Sequence, residues 1–158
     1  MRYFISDTTR FDYNTEEVDM LTFQEFGAIN SRLKASNDTW SDLWAFLYYL
    51  EESVGRVVIL KYSDISGGYI ALARKGRLRE KHLLIPRPVD EILKRRKKAF
   101  PNDIFIFQSH SNRIGNEIKP VTIIAFNMAL KRAAKGVTDK KISSKDASYC
   151  TIFRDMRG

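Results

Sequence analysis

Arg74, Lys75, Arg77, Arg79 and Lys81 fall within eight residues, with Gly76 among them and Glu80 as the one acid. Five cations cannot be packed into a core, because each ammonium or guanidinium would be desolvated without a partner. They lie between two apolar runs of strand length, Tyr69-Ile70-Ala71-Leu72-Ala73 and His82-Leu83-Leu84-Ile85. The pattern predicts a β-hairpin over about 69–85, with Gly76 supplying the φ freedom of a tight connection. The tip is either a solvated turn or a cationic finger for nucleic acid. Contacts from such a finger go to phosphates, so they position a duplex without reading its sequence.

Two further cationic groups follow. Lys94-Arg95-Arg96-Lys97-Lys98 closes a predicted helix, where positive charge complements the macrodipole, but five cations exceed what a cap needs. Lys131, Arg132 and Lys135 are expected on the outward face of a later helix. Other chemistries are poorly supplied. His82 and His110 stand apart from carboxylates at ligand spacing, and Cys150 is the only cysteine, so no metal and no cofactor are expected. Ser66-Gly67-Gly68 is a turn and not a phosphate loop, since no Lys-Ser/Thr follows it.

The net charge is +8, and its distribution says more than its size. Up to Ser53 there are four Lys/Arg against ten Asp/Glu; from Val54 onward there are 23 against nine. One end of the chain repels phosphate and the rest attracts it, which favours a polyanion partner, double-stranded DNA first among them. A length of 158 residues with 44% hydrophobic content suits one packed domain. No apolar run approaches the roughly 18–20 residues of a membrane span, and the opening MRYFISDTTRFDY is no secretory signal. With one cysteine, a cytoplasmic, nucleoid-associated protein is expected.

The elements that must position these cations are mostly helical. Residues 1–20 lack periodicity and carry Asp7, Asp12, Glu16, Glu17 and Asp19, which reads as a leader ahead of a domain over 21–158. Thr22-Phe23-Gln24-Glu25 is a capping box, and Phe23, Phe26, Ile29 and Leu33 carry a helix to about Lys34. Thr39 or Ser41 is expected to cap a second helix, with Trp40, Leu43, Trp44, Leu47 and Leu50 as its apolar face. Val54–Tyr62 reads as a third helical piece, and Pro88 suits the first turn of the helix after the hairpin, with Val89, Ile92 and Leu93 inward. Ile104–Phe107 is a short buried extended run and Ser109–Lys119 a polar loop. Thr122 caps a helix with Ile123, Phe126, Ala129, Leu130 and Ala133 inward, ended by Gly136. Ser143 or Ser144 caps a last helix running into Arg154. The fold class is α+β: one mostly helical domain with a small antiparallel sheet.

The order and wording of these segments resemble the catalytic domain of tyrosine recombinases, the phage integrase family. The phrases that carry the likeness are LTFQEFGAINSRL, VVILKYSDI, ALARKGRLREKHLLIP, IFIFQSHSN and KPVTIIAFNMALKRAAKGV, from Leu21 toward the end of the chain. The resemblance implies a scissile-phosphate site of two arginines and usually a histidine, a hairpin lysine as general acid, and a tyrosine nucleophile.

Carried over residue by residue, little of that set survives. Counting back from Asp64, the first arginine position holds Ser53, and the usual acid three residues later is Arg56. The threonine-glycine break before it is replaced by Leu50-Glu51. Lys75 stands where the hairpin lysine belongs. The second motif, usually His-x-x-Arg, reads Lys145-Asp146-Ala147-Ser148, so Lys145 keeps a positive charge and Ser148 replaces the second arginine. Tyr149 follows that position directly, too early for the nucleophile, and the segment that carries it in the family is not expected in the ten residues after Ser148. Arg56 lies about one helical turn from Ser53, and a locally shifted helix could bring its guanidinium to the vacated place.

Losing one preorganised phosphate ligand costs roughly 10²–10³ in rate, and losing the nucleophile removes the covalent path. The expectation is a DNA-binding, catalytically inactive relative with a regulatory or architectural role in recombination or integration of a mobile element. Its rivals are a protein-interaction module that docks on a full-length recombinase or on another copy of itself, and a fragment of an active recombinase. The residues expected at DNA are Arg74, Lys75, Arg77, Arg79, Lys81, Lys94, Arg95, Arg96, Lys131, Arg132 and Lys135.

Overall fold

A computed structural model describes residues 20–111, 115 and 117–147. The expected leader, Ser148 and the run toward Arg154 lie outside the described residues. The elements with bounds among the described residues are α1 (Phe23–Ser36), α2 (Asp38–Leu50), α3 (Val54–Val57), β1 (Ile65–Ser66), β2 (Tyr69–Leu72), β3 (Lys81–Leu84), α4 (Arg87–Ala99) and α5 (Ile123–Ala134).

The first helix starts where its capping box places it. Thr22 Oγ1 accepts the Glu25 N–H at 3.1 Å, and Glu25 Oε1 accepts the Thr22 N–H at 2.9 Å. Neither Thr39 nor Ser41 caps α2; Asn37 does, its Oδ1 accepting the Thr39 N–H at 2.8 Å. Asn37 also ends α1, so one residue makes the corner between two helices. Phe26, near the start of α1, packs on the later part of α2 away from that corner, with its ring 5.1 Å from Trp44 and 4.5 Å from Tyr48. Trp44 Nε1 donates to the Phe26 carbonyl, so the buried indole leaves no stray donor. Burying each such side chain contributes about 1.5–3 kcal/mol, and α5 adds Phe126, Ala129, Leu130 and Ala133 to the same core.

Three boundaries differ from the sequence reading. The helical piece after Ser53 stops at Val57, and a 3₁₀ turn follows at Tyr62–Asp64. Val57, Val58 and Leu60 are still buried, because an irregular turn seats them as well as a helix would. Ile104–Phe107 is neither wholly buried nor extended throughout: Ile106 and Phe107 are buried in a turn, Ile104 is exposed, and Phe105 pairs with Lys61 in an isolated bridge. Ile123 also faces solvent, since it opens α5 at the rim of the core.

The sheet is antiparallel in the order β1-β2-β3, with Leu72 opposite Lys81 as the last ladder pair before the tip. Strand β1 was not expected from the sequence. Ile70 and Leu72 point into the core, while His82 and Leu84 do not.

Candidate nucleic-acid interface

The tip is closed by a tight turn. The Lys75 N–H donates to the Leu78 carbonyl at 3.0 Å and the Leu78 N–H returns the bond at 2.9 Å, with Gly76 at φ 59°. From Ala73 to His82 every residue is exposed. Among the described residues, the side chains of Arg74, Lys75, Arg77 and Arg79 have no carboxylate partner. Lys81 differs, because it pairs with Glu52.

Lys75 reaches back over the start of α3. A methyl group on Gly55 would lie 3.1 Å from Lys75 Cε, so the absence of a side chain there makes the slot in which the lysine lies. Ser53 stands at the N-cap position of the same helix, with its side chain exposed and making no cap bond. The expected lysine thus lies against the short helix that Ser53 precedes.

Arg56 does not fill that vacancy. Its side chain is only 3% exposed, and Nη2 donates to the Ala73 carbonyl at 3.0 Å and to the Arg79 carbonyl at 2.7 Å. Nη1 lies 3.4 Å from Glu52 Oε1. The shifted-helix substitution expected above is therefore corrected: the guanidinium is committed to the hairpin backbone.

The cationic run at the end of α4 is also corrected. Arg96 is 1% exposed; Nη1 meets Asp42 Oδ2 at 3.0 Å, Nε donates to the Ile106 carbonyl at 2.9 Å, and Nη2 donates to Thr39 Oγ1. It presents nothing to a ligand. Arg95 grips the same Asp42 from outside through Nη2 at 2.6 Å, a hydrogen bond that raises its already high pKa further. Lys94 pairs with Asp90 one turn earlier. Lys97 donates to the Pro101 carbonyl and lies over the Tyr62 ring. Most of this run is structural.

Lys131 and Arg132 on α5, and Lys135 at its C-cap, are exposed. Lys145 is exposed on the segment after α5, which is fastened by the Ser144 N–H to Asn127 Oδ1. Its neighbour Asp146 has a pKa raised by burial, against the lowering effect of the Ser143 N–H and hydroxyl.

His110 is not isolated. Its Nε2 lies 2.8 Å from Asp103 Oδ2, and its ring stacks on Phe100. His110 and Phe100 border a cavity of about 670 Å³ beside Trp40, Lys119 and Thr122. Most polar side chains around it are already used: Thr122 Oγ1 caps α5, Gln108 holds Ile104, Phe105 and Asp103, and Lys119 faces Glu117. Among the described residues no group of three or more His, Cys, Asp or Glu could hold a metal, and no helix is long and apolar enough to cross a membrane.

No protein-family model and no curated protein matches the chain. Solved structures do. The lambda integrase catalytic core superposes with a TM-score of 0.70 at 16% identity, over 84% of this chain and 80% of that one. A lambda integrase fragment (75–356), a dimer bound to a COC′ core site, matches with a TM-score of 0.70 at 16% identity, again over 84% of this chain. A lambda integrase tetramer bound to a Holliday junction gives 0.69 at 16% identity. This chain spans 50% of the dimeric fragment and 40% of the tetrameric chain. At this identity the likeness establishes the fold. The helices, the three-stranded sheet and the hairpin of this chain together have the fold of the lambda integrase catalytic core.

Proposed function

We propose that the chain binds double-stranded DNA through the hairpin tip and does not cut it. The observation that carries this reading is the set of four cations without a carboxylate partner among the described residues, Arg74, Lys75, Arg77 and Arg79, on an exposed ribbon whose lysine lies against Gly55, two residues after Ser53. The DNA-bound lambda integrase structures support a duplex as the partner, and their dimer and tetramer support self-association on it. The resemblance asks for a guanidinium at Ser53, and the nearest one, Arg56, is spent on carbonyls. Such a protein would act on recombination or integration by occupying or shaping DNA.

Gel-shift titration at several salt concentrations tests the binding. Log K should fall with log salt by roughly 0.9 per phosphate neutralised, or about three to four for four contacts. Absence of duplex binding at low salt would overturn the reading. Relaxation of a supercoiled plasmid, or a covalent protein–DNA adduct, would overturn the claim that it does not cut.

A further inference from the structure

Resting on that reading, we infer that Arg56 is a positioning residue, a buried clamp that holds the cationic hairpin tip in place before DNA arrives. The ladder between β2 and β3 runs out at Leu72–Lys81, and pairing resumes only at Lys75–Leu78 in the turn. The two intervening pairs, Ala73 with Glu80 and Arg74 with Arg79, are not bridged. Into this gap comes the Arg56 guanidinium, which donates from one nitrogen to the carbonyls of Ala73 on one leg and Arg79 on the other.

Nothing apolar could do the same work. The residues beyond Leu72 on one leg and before Leu83 on the other are exposed, so the outer ribbon has no hydrophobic face. A two-stranded ribbon without such a face is marginal in water. Its remaining ties are the Lys81–Glu52 pair and the Lys75 stem against Gly55. Glu52 serves both sides of the joint, meeting Lys81 and Arg56. The guanidinium is suited to this because it is planar and permanently charged: one terminal nitrogen aims its two N–H groups at the two carbonyls while the other faces Glu52. A ribbon held this way binds phosphate without first losing loop entropy.

The test compares the full-length wild type with Arg56→Lys and Arg56→Met. Lysine keeps the charge but replaces the planar fork with a point donor on a flexible stem, so the two variants separate clamping from charge. Hydrogen exchange without DNA reads the clamp directly. The Lys75 and Leu78 amides should exchange at least tenfold faster in both variants, with the amides of α2 unchanged as a control for folding. Unchanged exchange at Lys75 and Leu78 overturns the clamp whatever the protein does with DNA. Duplex affinity should then fall about five- to tenfold in both variants, at an unchanged salt slope, because Arg56 itself touches no phosphate. Faster exchange with unaltered affinity overturns the positioning role. If the wild type binds no duplex, the DNA reading and the positioning role both fail, while the exchange comparison still decides the clamp.

Discussion

Asp42 on α2 and Arg96 on α4 meet 3.0 Å apart inside the domain, with side chains 5% and 1% exposed. The pair is complete only because the guanidinium also donates to the Ile106 carbonyl and to Thr39. Removing one partner of such a buried pair strands the other charge, at a cost of about 3–5 kcal/mol. Asp42→Ala and Arg96→Met should each lose stability on that scale in urea melts. Arg95→Ala, which removes the half-exposed arm of the same cluster, should lose about 1 kcal/mol or less. Equal losses for Arg95 and Arg96 would contradict the arrangement.

Restoring a guanidinium at the vacated position is the most direct test of what Ser53 means. The Ser53 side chain is exposed and makes no cap bond, so Ser53→Arg should fold normally. It should steepen the salt dependence of duplex binding by about one phosphate, roughly 0.9 in slope. It should still leave a supercoiled plasmid intact. A slope unchanged by the added arginine would place Ser53 away from DNA.

Acid should weaken the joint between α1 and the segment after α5. Burial pushes the Glu25 carboxyl up, but the Lys140 ammonium, the Thr22 N–H and Thr138 outweigh it and hold it below its ordinary 4.5. A carboxylate with a depressed folded pKa contributes stability that is fully present above its unfolded value. That contribution disappears as pH falls through the folded value. Glu25→Gln should therefore be less stable than wild type at pH 7, by about 1 kcal/mol, and the gap should close below pH 4.5. A gap that stays constant from pH 7 to pH 3 would rule the ion pair out as its source.

Glu51 ends α2 at φ 55°, the left-handed region, where it is the only non-glycine among the described residues. The break that the resemblance assigns to glycine is thus kept in geometry without the glycine. Glu51→Gly should raise stability by about 0.5–1 kcal/mol, the usual worth of relieving a side chain at this cap. Thermal melts of the two forms decide it.

The capping box at Thr22, the apolar stripes of α2 and α5 and the hairpin around Gly76 are local patterns, and each is legible in the sequence. The cationic run 94–98 misled because composition hides direction. A signal was present: Val89, Leu93 and Arg96 share one helical stripe, and Asp42 sits on the apolar face of α2. An ionisable residue on each of two buried stripes foretells a buried pair. The role of Arg56 had no such signal, because its acceptors are backbone carbonyls, which every residue carries. The same holds for His110 and Asp103, brought together only by the turn between them.

Lys140 fastens the chain across 120 residues, its ammonium donating to the Met20 carbonyl at 2.6 Å and to Glu25 at 2.8 Å. The opening turn of the first helix is therefore sealed by a side chain that is synthesised 115 residues after the carboxylate it meets. Until then α1 has its capping box but not its clasp, and the nascent globule stays ajar at that seam. Synthesis order and closure order run in opposite directions here, so the final docking step should be slow relative to the formation of the individual helices.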